Sequence, residues 1–401
     1  MIEQDGTKAT ALQRPVNDDK EAWKKYWQAQ GQPWRTESEI DVERQKYLAE
    51  RRSITPNIEQ GIYPFKDIKL NRADVEWLLA THENGRGPVD WDTGGQWKRD
   101  GLDLRGADLR QANLFGLPLA RMRGGLTLKE SREATDEQRS LAAVHLQEAI
   151  LYTAQLQNAD LRHAQLQNAN LYGARLPNAD LRMTDLDHAT LDYVTFSDQV
   201  YGCTCFADIK WGEVNLALVD WGPVTRLGDE RVARQEQEHP GTRLPTIRDD
   251  QYREAVRANR QLAVVLRAQG LNEEADHFAY RAHMLQRVVL RRQRKFGRYL
   301  FSGFLDLLAG YGYRPGRSVI WYLIIIFGFA LAYATFGHLP FLPDSLVFSL
   351  TSFHGRGFFP GLGSENSLHN PLVIMAAFEA VVGLLIEISF IATFTQRFFG
   401  K

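Results

Sequence analysis

The chain has 401 residues, 24% of them charged, with two cysteines and a formal net charge of −1; this length exceeds what one hydrophobic core organises, so two or more folded units are expected. So balanced a charge argues against both a broad nucleic-acid-binding surface and a strongly acidic nucleic-acid mimic. Almost all the long uncharged runs fall after Ser318, so a soluble average conceals a membrane part.

Met1 is followed by Glu3, Asp5, Asp18 and Asp19 with no apolar stretch, so no signal peptide is expected and the N-terminus should stay in the cytoplasm. Residues 1–98 read as a charged helical region. Within it Ala22 to Arg52 carries scattered aromatics (Trp23, Tyr26, Trp27, Trp34), and Arg72 to His82 reads as a short helix. These segments are expected to cap the element that follows and to mediate subunit contacts.

Residues 99–228 repeat with period five. Leucine recurs at every fifth position from Leu146 to Leu191, then Phe196 takes the slot; a small residue, Ala149 through Ala189 with Thr184 among them, precedes each leucine by two. Period five matches neither a helix nor a strand, so each unit must turn a corner and present its leucine and small residue to one interior axis. An earlier block with the same grammar, Leu102 to Gly116, breaks at Thr127. Across the break, 127–143, Thr135 stands three residues before Gln138 and predicts the N-cap of a short inserted helix. Ile209, Val214, Val219 and Val224 keep the five-residue step beside Trp211 and Trp221, which carries the solenoid to about Leu227. Cys203 and Cys205 have no further cysteine to complete a metal site and read as packing residues in a reducing cytosol.

Units such as Ala159-Asp160-Leu161 and Ala179-Asp180-Leu181 resemble the pentapeptide-repeat family over roughly a third of the chain. The resemblance implies a right-handed quadrilateral β-helix with about four repeats per coil, stacked at the ~4.8 Å strand spacing. It leaves open a docking face for a cytoplasmic protein or ligand, or a rigid spacer.

A polar linker is expected at 229–250 and a helical hairpin at 251–296. Tyr252, Val256, Leu262, Val265 and Leu266 mark one helix face stopped by Gly270, and Asn272 caps a second helix with acids first and bases last. Residues 297–317 follow the bases Arg291, Arg292, Arg294, Lys295 and Arg298 with an apolar group from Tyr299 to Leu308. Together these predict an interfacial helix on anionic membrane lipid, at roughly 1 kcal/mol per base; the alternative is a solvated face paired with Glu230 or Glu273.

Residues 318–337 carry no charge and are long enough to cross the ~30 Å of a bilayer core; Pro371 to Thr395, within 371–401, is a second span. Arg314 and Arg317 before the first span, with Arg397 and Lys401 after the second, place both ends in the cytoplasm of a bacterial inner or plasma membrane. The intervening 338–370 then faces outside. It holds a third apolar segment too short to cross: Pro343-Asp344 opens a helix, Leu346 to Phe353 continues it, and Gly355-Arg356-Gly357-Phe358 brings flexible backbone to membrane depth, where it must line water or be buried in protein.

Phe348-Ser349-Leu350-Thr351-Ser352-Phe353 resembles the pore helix of two-transmembrane potassium channels, and the order of span, pore loop and span over 318–397 is similar to theirs. The resemblance implies a homotetramer around a permeating inorganic ion, with Ser352, Phe353, His354, Gly355, Arg356, Gly357 and Phe358 at the pore or selectivity position and Gly383 at an inner-helix hinge. His354 and Gly355 stand where that family has threonines, Arg356 where it has valine, so the filter departs from it. Gly310-Tyr311-Gly312 imitates a filter but precedes the first span and reads as a surface turn.

Arg356 admits two readings: a fourfold ring of positive charge, as in anion pores, or a structural partner of Glu379. Glu387, costly in lipid, should face the pore or another subunit on the face it shares with Gly383, and would attract cations. No nucleophile elbow, metal-ligand spacing or phosphate loop is present, so neither an enzyme nor a cofactor is expected. The chain therefore reads as the pore-forming subunit of a tetrameric channel for an anion or a cation, modulated by a cytoplasmic pentapeptide-repeat domain. The alternative is a membrane-anchored scaffold without conductance.

Overall fold

The computed structural model describes residues 13–16, 18–93, 95–199, 202–234, 245–337, 340–355 and 371–398. These fall into two compact units, Met1–Ala275 and Asp276–Lys401.

In the first unit each five-residue repeat is a bridge residue, an inward leucine, a two-residue turn and a small residue. From Gly106 to Gly116 and from Glu148 to Tyr193 the second turn residue is left-handed, with φ near +60° at Asn158, His163, Asn168 and Asn178 and at Gly106, Gly116 and Gly173, residue types for which that conformation is accessible, and also at Glu148, Thr153, Met183 and Tyr193, which the stacked coils hold there. The turn closes on itself, as where Ala149 N–H donates to the Leu146 carbonyl at 3.1 Å, while Leu146 N–H reaches the next coil at Gln165 O, 2.8 Å away. Parallel bridges form four columns, one through His145, Gln165, Asp185 and others through Ile150, Asn170, Thr190, through Gln155, Arg175, Thr195 and through Asp160, Asp180, Cys205. Within the first of these columns partners stand 20 positions apart, four repeats to the coil, and the result is a β-helix.

Asp108 bridges His145 across 37 positions, and the 17 extra residues equal the length of the interruption at 127–143. The interruption holds two helices where one was expected, α4 (Leu128–Glu133) and α5 (Asp136–Ala142), because Thr127 forms a capping box with Glu130 just as Thr135 does with Gln138. The leucines and alanines of the columns are buried.

Both ends of this β-helix are closed. Helices α1 (Lys20–Ala29), α2 (Val42–Arg52) and α3 (Arg72–Ala80) precede it, followed by short turns at His82–Gly85 and Gln96–Lys98. Asp67 and Leu70 N–H groups donate to the Gly106 and Asp108 carbonyls at 2.9 Å each, extending the first coil. Arg72 of α3 donates to the Asn113 and Phe115 carbonyls at 3.2 and 2.9 Å.

At the other end the segment expected as a linker is partly helical: α6 (Gly228–Arg234) caps the last coil, and α7 (Pro245–Ala268) begins earlier than its apolar face indicated. The reason lies in edge groups that no further coil can satisfy. The Asp229 carboxylate accepts Phe206 N–H at 2.6 Å and Ala207 N–H at 3.2 Å. Gln261 takes Asp208 N–H at 3.0 Å, and Gln269 pairs with both Leu216 N–H and the Val214 carbonyl at 2.8 and 2.6 Å. Arg257 forks onto Asp208 at 3.0 and 2.8 Å, and Glu254 accepts from Arg182 at 3.2 Å. Gly228 is required at this closure, since a Cβ there would lie 2.3 Å from the Cys203 carbonyl oxygen. Cys203 and Cys205 are free and buried in the same corner, where burial pushes the Cys203 thiol up to about 12 and raises Cys205 as well, so both act as packing residues.

The second unit follows α8 (Asn272–Arg292) with α9 (Phe296–Ala309), α10 (Pro315–Phe336), α11 (Leu346–Phe353) and α12 (Pro371–Phe398). Gly316–Phe336 and Pro371–Ala392 are long and apolar enough to cross a membrane, and much of their apolar surface, including Ile320, Phe327, Phe378 and Ile388, points outward. Gly310-Tyr311-Gly312 forms a single 3-10 turn with Gly310 as a left-handed stop for α9. The last carbonyls of α9 are then bonded by side chains of α10: Asp306 O by Arg317 at 2.9 Å, Leu307 O by the Trp321 indole at 2.9 Å and Leu308 O by Ser318 at 3.0 Å.

Burial pushes Asp229 up to about 7, opposed by Arg182 and by the two backbone N–H groups. A carboxyl whose folded pKa lies above its unfolded value of about 3.9 costs the fold nothing at low pH. The fold then loses stability as pH rises from about 4 to about 7, and no more above that. Asp229→Asn keeps one of the two acceptor oxygens, a loss that is the same at every pH, and removes the charge. The melting temperature of the variant relative to wild type, followed by circular dichroism, should therefore climb between pH 5 and 7.5; a gap that stays constant or shrinks would show that Asp229 ionises without penalty.

Candidate functional site

Helix α11 has eight residues and so spans about 12 Å at ~1.5 Å each, far short of a bilayer. It packs between α10 and α12. A π turn, Phe341–Ser345, leads into it, with Ser345 N–H on the Pro340 carbonyl at 3.1 Å. Pro343 and Asp344 thus lie in the turn that starts the helix. Its exit is a bend in which Gly355, at φ 67°, donates its N–H to the Ser352 carbonyl at 2.9 Å.

Glu379 of α12 fastens the three helices together. It is fully buried, accepting from the Tyr333 hydroxyl of α10 at 2.7 Å and meeting the Ser349 hydroxyl of α11 at 2.5 Å. Ser349 also lies 2.9 Å from the Ile326 carbonyl of α10. A carboxyl in an apolar bundle is costly unless it is hydrogen-bonded, and here each oxygen meets a hydroxyl from a neighbouring helix. Around it pack Tyr333, Phe348 and Ala376. The proposed Arg356 partnership for this carboxyl lies outside the described residues, as do Arg356, Gly357 and Phe358 themselves.

One turn further along α12, Gly383 meets the end of α11. A Cβ at this position would stand 2.2 Å from the Phe353 carbonyl oxygen and 3.1 Å from its ring. Its lack of a side chain is therefore needed for helix contact, a requirement separate from hinge motion. Phe353 is buried with Ile326, Ile386, Leu308 and Ala309, and Ser352 is buried as well.

At the bend, the His354 Nδ1 hydrogen-bonds Glu387 of α12, and its Nε2 lies 3.3 Å from the Tyr322 hydroxyl of α10. Both side chains of the His354 and Glu387 pair are more than a third exposed. The structure thus joins two residues, His354 and Glu387, that the sequence separates by 33 positions, and adds Tyr322 and Tyr333, which hydropathy alone hides among span residues. Gly355 is exposed.

At the start of α10, Asp306 gathers Arg287 at 2.8 Å, Arg317 at 3.3 Å and the Tyr280 hydroxyl at 3.0 Å. Arg291, Arg294, Lys295 and Arg298 are exposed and Arg292 half-buried. Among the described residues no group of three or more His, Cys, Asp or Glu is placed to hold a metal ion.

Gly383→Ala should force α11 and α12 apart and destabilise the second unit by about 1–3 kcal/mol, the usual cost of overpacking, read as a lowered melting temperature of the purified protein in detergent. A normal melting temperature with altered opening would assign Gly383 to hinge motion instead.

Residues 140–178 and 154–192 match the family described as Pentapeptide repeats, in eight copies. No curated protein sequence matches the chain. Among solved structures, Rfr23, a pentapeptide repeat protein from the cyanobacterium Cyanothece 51142, is 24% identical over 31% of this chain and 68% of its own, with a TM-score of 0.17. HetL, a pentapeptide repeat protein involved in heterocyst differentiation regulation from Nostoc sp. strain PCC 7120, is 25% identical over 29% of this chain, with a TM-score of 0.16; the match spans 52% of its length. A pentapeptide repeat protein from the Arabidopsis thaliana thylakoid lumen is 20% identical over 34% of this chain and 72% of its own, at 0.17. The family match and the five-residue geometry agree: the first unit carries a pentapeptide-repeat β-helix.

Proposed function

We propose that the chain is the pore-forming subunit of a homotetrameric, potassium-channel-like ion channel with a non-standard filter, modulated by its pentapeptide-repeat domain. The observation that carries this reading is a helix too short to cross a membrane, held between two span-length helices by a buried carboxyl and ending in a glycine bend. A tether needs no such wedge. A short helix at membrane depth is tolerated where it delivers backbone to a water-filled path, and one subunit supplies a single such loop, so a closed pore takes several copies.

In this reading both termini and the β-helix lie in the cytoplasm and residues 356–370 continue the pore loop. Four Arg356 side chains in a narrow loop would each shift a monovalent ion by about 3 kcal/mol at roughly 6 Å and an effective dielectric of about 20, enough to exclude most cations if unpaired. Glu387 would act in the opposite sense from the inner helix. The permeating species is an inorganic ion, anion or cation according to which ring dominates.

The decisive measurement is conductance of the purified chain in a planar bilayer, alongside native mass. A tetramer that conducts is expected; a stable monomer without conductance would defeat the channel and leave the scaffold. In a salt gradient Arg356→Gln should move the reversal potential toward cations. Glu379→Gln, whose side chain serves helix packing, should leave it nearly unchanged. If neither substitution alters selectivity in channels that assemble, the ion choice is set by Glu387.

A further inference from the structure

Beside the Asp306 cluster is a cavity of about 380 Å³ that conduction does not use. Its lining combines the charged Arg287, Asp306 and Arg317 with the apolar Leu307, Ile320 and Trp321. Trp321 is fixed as a wall by its indole bond to the Leu307 carbonyl, while Leu307 and Ile320 are more than half exposed.

The charges do not cancel. A single carboxylate stands between two guanidinium groups, and the Arg314 guanidinium lies 4.6 Å from the centre of the Tyr280 ring next to them. Among the described residues, both hydrogen bonds of Arg317 come from Nη1, whereas a guanidinium carries five N–H donors in a planar fork suited to phosphate. Ile320 and Trp321 belong to the first turns of α10, where the candidate span begins at Gly316. A lining that joins two guanidinium groups to exposed hydrocarbon is matched by an anionic amphiphile rather than by a wholly polar anion.

We propose that this cavity binds the headgroup phosphate of an anionic phospholipid from the adjoining leaflet, with Arg287 and Arg317 on the phosphate and the acyl chain along Leu307 and Ile320. This rests on α10 crossing the membrane and is independent of conduction. It differs from the attraction of Arg291, Arg294, Lys295 and Arg298, which are exposed and act as a diffuse field; here the lipid occupies a defined place and in a stoichiometric number.

The full chain in neutral detergent is titrated with phosphatidylglycerol, phosphatidylcholine or inorganic phosphate, and bound lipid is counted by native mass spectrometry while melting temperature is followed. Phosphatidylglycerol should be retained at one per chain and raise the melting temperature, with neither effect from the other two. Arg287→Gln and Arg317→Gln, made singly, should each weaken retention by about ten- to a hundredfold, the loss of one charge-assisted contact. Asp306→Asn should tighten it by removing the competing carboxylate, and Arg294→Gln should leave it unchanged. Equal retention of phosphatidylcholine, or equal retention by both arginine variants, overturns the site; stabilisation by inorganic phosphate makes it a free-anion site and overturns the lipid. A conducting chain that shows either result keeps the channel reading, and a silent chain that retains phosphatidylglycerol keeps the lipid site.

Discussion

Backbone N–H and C=O groups withdrawn from water must find partners, and that requirement shapes both units at their ends. A β-helix satisfies its interior coils by stacking each on the next, yet its last coil has no successor. Asp229, Gln261 and Gln269 take the place of the missing coil, which is why the region after the repeats folds into helices against the β-helix and does not run on as a linker. In the second unit the final carbonyls of α9 are bonded by Arg317, Ser318 and Trp321. That set of bonds fixes where α10 starts relative to the segment before it, and the Asp306 cavity is formed by the same residues.

Buried polar side chains do comparable work among the apolar helices. Packing of leucine against leucine is non-directional, so α11 could slide or rotate between its neighbours at little cost. Glu379 removes that freedom because its two oxygens meet donors on two different helices, and the Phe353 carbonyl against Gly383 sets the approach distance. Together they fix the end of α11, and with it the bend at Gly355, against α10 and α12.

The repeats were legible because period five leaves a leucine in register over ten units, with an alanine two places before eight of them, a pattern that no helix or ordinary strand produces. The left-handed corner was legible in part, in retrospect, as the Asn, Gly and His that recur two positions after many of the leucines, but Glu148, Thr153, Met183 and Tyr193 hold the same conformation and hide it. Hydropathy marked the two long helices and the short one, since those depend only on local composition. The pairings did not show: His354 meets Glu387, and Tyr333 meets Glu379, across distances along the chain that no spacing rule covers. The helical stretch at Gly228–Arg234 was missed for another reason. Its glycine and charged residues carry no apolar periodicity, and it is stabilised by what it caps rather than by a face of its own.

These pairings change how the intramembrane charges act. From sequence, Glu379 and Glu387 look alike, two carboxylates on one helix. Glu379 is enclosed and spent on Tyr333 and Ser349, a fixed, hydrogen-bonded group inside the bundle. Glu387 is partly exposed but tied to His354, and a carboxylate held against an imidazole offers a weaker field than a bare one, since the donor's partial positive charge lies within hydrogen-bond distance. The bend at Gly355 is therefore fastened by the same contact that tempers the Glu387 charge. In the proposed channel, the two glutamates would then oppose a positive group less than their count implies.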